Sequence, residues 1–268
     1  NNIGSVYLSW GQYDKAIKYL TDTVKIKEKL RKTATGDIRR DYLASQLYTY
    51  QWLTSAYISD SDFPFAYQTV ELSRAKLLSE KLAGDESEVR RPEIKQIQET
   101  LDEDTVVLVY ANVNWEDIVQ IAITKEGIIG KEVSNKSFVQ SSMDKYGKPI
   151  KDLLRYQSAI TATREDKKEQ HLSDKIVARS DIDNIINYYR FLLKSPSSQY
   201  QRGEGAIIVE DSKGSQSGNT EEIGKGLYKL LIKPMEGQIK DKENIIIVPD
   251  GILAFVPFET LIGGNGKY

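Results

Sequence analysis

Shifted by 50 residues, the first 26 positions of the chain fall onto residues 51–76 with matching residue types. Ile3 meets Leu53, Tyr7 meets Tyr57, Tyr13 meets Phe63, Ala16 meets Ala66 and Leu20 meets Val70. A fixed offset of this kind marks a repeat architecture, in which each unit buries its apolar face against its neighbours. In the first copy Tyr13, Ala16, Ile17, Leu20 and Val24 recur at spacings of three and four, which is one face of a helix. Small Ala16 and Ala66 let two helices approach closely. Gly11 in one copy and Ser59-Asp60-Ser61-Asp62 in the other supply the turn between helices. The spacing therefore predicts an α-solenoid over residues 1–84. Two copies are too few to stand alone, so further repeats are expected to precede Asn1.

The pattern Ile3-Gly4, Tyr7, Gly11, Tyr13, Ala16 and Leu20 resembles the tetratricopeptide repeat. The second copy departs from it, because Thr54 replaces the small glycine and an offset of 50 exceeds the usual repeat length, which implies longer helices. The resemblance implies that the helical repeats take a protein partner or a peptide substrate.

Beyond this array the hydrophobic period changes. Gly84 is a natural helix stop, and the charged residues 85–92, closing on Pro92, read as a linker. Glu93 to Leu101 carries Ile94, Ile97 and Leu101 on one side of a short helix. Then the period falls from 3.6 to 2. Strands are predicted over Thr105–Tyr110, Ile118–Thr124 and Ile128–Val133, the last two joined by a turn at Glu126-Gly127. A meander after a helical array signals a new domain of mixed α/β type. The acidic run Asp102-Glu103-Asp104 has metal-ligand chemistry, but such a run before a strand reads as a solvated turn.

The middle of the chain says less. Residues 138–154 and 181–193 have helical spacing, with Ile182, Ile185, Ile186, Tyr189 and Leu193 as the clearest stripe. The single histidine, His171, sits in a mixed-charge run with no apolar surroundings, which is poor ground for a catalytic base. Ala206–Val209 reads as an extra strand and Asp211–Thr220 as a flexible loop. Its glycines lack the Gly-Lys-Ser/Thr of a phosphate loop. Neither Gly203 and Gly205 nor Gly263–Lys267 completes a nucleotide fingerprint, so no cofactor is predicted. Asn219 and Glu222 have capping-box spacing ahead of Ile223, Leu227, Leu230 and Leu231.

Composition removes several classes of function. The 268 residues carry a net charge of −2 with both signs mixed, so no nucleic-acid footprint is evident. No apolar run approaches a membrane span, and no membrane contact is predicted. With no cysteine, disulfides, thiolate zinc sites and Cys-His nucleophiles are excluded within these residues, and a cytoplasmic setting is expected.

The last informative stretch is residues 245–261. Four β-branched residues, Ile245 to Val248, read as a central parallel strand buried on both faces. Pro249 removes the ladder donor, Asp250-Gly251 turns the chain, and Pro257 opens a helical turn over Phe258 and Leu261. Asp250 is expected to order the turn rather than to perform chemistry. Leu227–Pro234, then Ile246–Leu253, then Val256–Leu261, in that order, resemble the CHAT domain, a caspase- and separase-like peptidase family. Ser73-Arg74-Ala75 is similar to that family's usual connector after tetratricopeptide repeats.

The resemblance implies a tetratricopeptide-like α-solenoid over residues 1–84 and the first part of a caspase-like α/β domain over residues 85–268, with an insertion at 138–218. It also implies peptide-bond cleavage by a cysteine thiolate paired with histidine, both C-terminal to the Pro-Phe-Glu-Thr-Leu segment in the family. No catalytic, cofactor or metal residue is carried over to this chain. Three readings stay open: the N-terminal fragment of a CHAT-type cysteine peptidase, a non-catalytic scaffold of the same build, and an unrelated solenoid fused to a small ligand-binding domain.

Overall fold

The structure, a computed structural model, describes residues 2–33, 47–82, 93–114, 116–164, 180–194 and 215–263. The linker expected at 85–92, Gly84, His171, Gly203, Gly205, the strand expected at 206–209 and residues 264–268 lie outside them. The chain mixes helices with a four-stranded mixed sheet and divides into two compact units, Asn1–Val133 with Met235–Gly251, and Ser134–Pro234 with Ile252–Tyr268.

The first unit opens with two helical pairs, α1 (Asn2–Ser9) with α2 (Tyr13–Thr33) and α3 (Leu47–Ser59) with α4 (Phe63–Leu82). Each pair turns by the same device. In the first, the Gln12 N–H donates to the Tyr7 carbonyl at 2.9 Å and Gly11 N–H to Leu8 at 3.0 Å, with Gly11 at φ 69°. Fifty residues on, Asp62 donates to Tyr57 at 2.8 Å and Ser61 to Ile58 at 3.1 Å, with Ser61 at φ 63°. This is the Schellman closure, which satisfies the last helix carbonyls by placing one residue in the left-handed region. The predicted turns are where the offset put them, and Ser61 holds a conformation that glycine adopts without strain.

Within the array α1 packs on α2, α2 on α3 and α3 on α4. Ala16, Leu20, Leu53 and Ala56 form the buried contact, with Tyr7, Ile17, Val24 and Trp52 around it. Gly4 lies against Leu20 so closely that an added Cβ would be 2.6 Å from Leu20 Cγ. At the repeat-equivalent positions the chain has buried Thr54 and Val70. The larger residue on one helix is matched by a smaller one on the other, which accounts for the departure of the second copy from the glycine pattern.

After α5 (Ile94–Thr100) come β1 (Thr105–Asn112), β2 (Asp117–Ile123) and β3 (Ile128–Ser134), and later β4 (Asn244–Val248), in the order β3-β2-β1-β4. The pair β1/β2 is antiparallel, with Val107 opposite Ile123, Val109 opposite Ile121 and Ala111 opposite Val119. These side chains share one core with Ile58, Ala66, Tyr67 and Val70 of the second helical pair and with Ile94 and Leu101. On the other face Val106, Leu108, Tyr110, Ile118 and Ala122 are buried as well.

The strand β4 lies parallel to β1, with Val107 opposite Ile246 and Val109 opposite Val248. The parallel expectation therefore holds, but the central, doubly buried one is corrected. Among the described residues β4 ends the strand order, and Ile246 is 48% exposed while Leu108 of β1 is 1% exposed. A run of β-branched residues specifies extended backbone. Burial depends on neighbours that the run does not encode.

The second unit contains α6 (Lys136–Arg164), α7 (Asp181–Lys194) and α8 (Ser215–Leu231), packed on one another. Their core holds Tyr146, Ile150, Leu153, Ile182, Ile185, Ile186, Tyr189, Leu192, Ile223, Leu227, Leu230 and Leu231. Leu193 is exposed and Leu192 takes its expected place. Residues 215–220, read from composition as part of a loop, are the first turns of α8, so Asn219 stands inside the helix and not at its start. Lys145 pairs with Glu222 between α6 and α8. The Tyr189 hydroxyl donates to the Thr260 carbonyl at 3.0 Å and fixes the 3₁₀ turn Phe258–Thr260 that Pro257 begins.

Candidate functional site

Where β1 and β4 end side by side, the first unit gathers a polar cluster. Extending their register by one step would set Tyr110 against Pro249, which has no N–H to donate. The ladder stops there. In its place Arg74, on α4, sends one guanidinium nitrogen to the Tyr110 carbonyl and, at 3.5 Å, to the Pro249 carbonyl. Its other terminal nitrogen bonds Glu71 Oε1 at 3.0 Å, one helical turn back. The fork of an arginine has enough fixed donors to serve three acceptors at once, which lysine has not in that geometry.

The tips are tied to each other as well. The Asp250 Oδ2 accepts the backbone N–H of Asn112 at 3.1 Å, across 138 positions of sequence. Gly251 follows at φ 53°, and a Cβ there would come within 3.2 Å of the Asn112 side-chain amide. From α3 the Gln51 amide donates to the Asn112 carbonyl at 3.0 Å. Asn112, the last residue of β1, is thus held by both its backbone groups. Each bond goes to an element distant in sequence.

Tyr67, one turn before Glu71 on α4, is buried. Burial pushes its phenol up to about 12, the Glu71 carboxylate adds to the rise and the Arg74 guanidinium opposes it. The phenol stays protonated at any physiological pH and acts as an apolar ring in the shared core.

The expected role of Asp250 matches this geometry, since its carboxylate closes the turn onto β1. Arg74, Glu71, Gln51 and Asn112 were missed as site residues. Ser73-Arg74-Ala75 reads as a connector, and nothing local says that Arg74 meets carbonyls 36 and 175 residues away. In chemical terms the cluster is a clamp, with its arginine and its aspartate both occupied by backbone groups. Among the described residues no cluster of His, Asp or Glu could hold a metal ion, and no helix is long and apolar enough to cross a membrane. The acidic run before β1 is a turn, in which Asp102 Oδ1 accepts the Asp104 N–H at 3.1 Å and the Asp104 carbonyl accepts from Asn244 at 3.0 Å. No family model matches the chain, and no match is found among curated proteins or solved structures.

Proposed function

We propose that these residues form the recognition and framework part of a CHAT-type cysteine peptidase, with tetratricopeptide-like helical pairs leading into the first part of a caspase-like α/β fold. The observation that carries this reading is the Pro249-Asp250-Gly251 turn, which closes a strand parallel to β1 and is locked onto the end of β1 by Asp250. In open α/β sheets, substrates and reacting groups collect outside the carboxyl ends of parallel strands. A turn ordered at that place supports a framework for a cleft. The helical pairs take a protein regulator or the peptide substrate. With no cysteine among the 268 residues, the attacking thiolate comes from outside them, and a cytoplasmic setting suits a chain of this composition.

The test is the coding sequence beyond the codon for Tyr268, together with assay of the product it encodes. A His-Gly pair and a later cysteine, each ending an apolar strand, with peptide cleavage lost on replacing that cysteine by serine, support the proposal. A product without the pair, inert towards peptides and still able to hold a protein through the helical pairs, replaces it with a non-catalytic scaffold of the same build.

A further inference from the structure

We infer that Arg74 is a positioning residue through which the second helical pair sets the order of the β1/β4 tip, so that loosening of the helical array is felt at the Asp250-Gly251 turn. Three observations converge on this. The bond partners of Arg74 include the carbonyls of both strands at the point where their own ladder ends, so one side chain on α4 spans the gap between them. Gln51 on α3 reaches the same tip independently, through the Asn112 carbonyl at 3.0 Å. The turn beside these contacts is joined to β1 through Asn112 itself, which bonds Asp250, while Pro249 donates nothing and Gly251 sits at φ 53°.

The helical pair that supplies both tethers is itself packed on the first pair through Leu20, Leu53 and Ala56. A shift of α3 or α4 therefore moves the guanidinium and the amide together, and the two carbonyl acceptors on separate strands lose their common donor. Coupling of this kind needs a continuous set of packed groups from one end to the other, which the array, Arg74 and the tip supply. It holds whether or not the chain serves a peptidase.

The Asn112 amide is a built-in reporter, because it bonds to the Asp250 carboxylate at 3.1 Å rather than to a strand carbonyl. In amide hydrogen exchange on the full chain, Arg74→Met is expected to speed exchange at Asn112 and at 250–252 about tenfold while the β1/β2 ladder keeps its protection. Leu20→Val, at the contact between the helical pairs, is expected to speed Asn112 exchange severalfold when Arg74 is present and to add clearly less in the Arg74→Met background, where only the Gln51 tether remains. Where Arg74→Met does not fold, Arg74→Lys, which keeps the charge on a single nitrogen and loses the fork, carries the same comparison at smaller amplitude. Unchanged exchange at Asn112, loss of protection spread evenly through β1 and β2, or an equal response to Leu20→Val in both backgrounds overturns the inference.

Discussion

Replacing Gly4 by alanine sets two effects of known sign against each other. Inside a helix alanine is more favourable than glycine by about 1 kcal/mol, so on propensity alone the change stabilises α1. The new methyl group, however, would stand 2.6 Å from Leu20 Cγ and 2.8 Å from Cδ2. Ordinary carbon–carbon contact lies at about 3.5–4.0 Å. Leu20 has nowhere to retreat, since it is fully buried beside Ala16, Leu53 and Ala56. Overpacking a filled site costs roughly 1–3 kcal/mol, so Gly4→Ala is expected to lower stability by about 1 kcal/mol net.

The repeat supplies its own control. The second pair buries Thr54 and Val70 at the equivalent places, so Leu20→Val should relieve the crowding that Gly4→Ala creates. Urea unfolding followed by tryptophan fluorescence reads the array once Trp115, the one tryptophan outside the helical pairs, is replaced by phenylalanine, because Trp10 and Trp52 both belong to it. The double variant should be less unstable than the sum of the two single changes. A Gly4→Ala protein more stable than the parent, or strict additivity in the double variant, would refute the close contact between α1 and α2.

Ser61→Gly should raise the stability of the chain by roughly 0.5–1 kcal/mol in the same assay, the relief of a left-handed serine less the entropy that glycine adds to the unfolded chain; a loss would show that Ser61 makes a compensating contact. Leu108→Asp buries an unpaired carboxylate and should cost about 3 kcal/mol or more, whereas Ile246→Asp should stay within about 1 kcal/mol. Equal costs would return β4 to the centre of the sheet. The Tyr67 phenol, held up to about 12 by burial and Glu71, keeps its proton in the folded chain where the unfolded chain has begun to lose it. Its contribution is therefore complete below about pH 10 and lost as the pH rises through 10 to 12, by on the order of 1–3 kcal/mol. Tyr67→Phe should flatten that part of the stability curve, and an unchanged slope would contradict the burial of the hydroxyl.

Much of the backbone was legible because its signals are local. The offset of 50 residues located both helical pairs and their turns, since each closure uses groups within six positions of one another. Short apolar runs bounded by turn residues located β1 to β3, and Pro249 with Gly251 located the end of β4. Burial rank was not legible. Ile245-Ile246-Ile247-Val248 is the more apolar run, yet among the described residues Thr105-Val106-Val107-Leu108-Val109 lies between two neighbouring strands and β4 beside one. The start of α8 was hidden by composition, for Ser215-Gln216-Ser217-Gly218-Asn219 reads as a loop until it joins the stripe from Ile223 onward. The polar clamp was hidden by distance. An arginine in a helix gives no sign of which carbonyls it will meet, and Asn112 gives none that its amide will find an aspartate 138 residues later.

The core that joins Ala66, Tyr67 and Val70 to the strands gives the chain a nested order of opening. Among the described residues the first helical pair packs on the second, through Leu20 and its partners, and can part from it without uncovering the core shared with β1 and β2. The second pair has no such freedom: to swing away it must uncover Val107, Val109 and Ile121 at the same moment. Its melting is therefore the melting of the sheet, and a polypeptide cut between α4 and β1 would lose an inner wall rather than an attached arm. The two halves of a sequence repeat, alike in their turns and in their helices, thus occupy different thermodynamic ranks in one molecule.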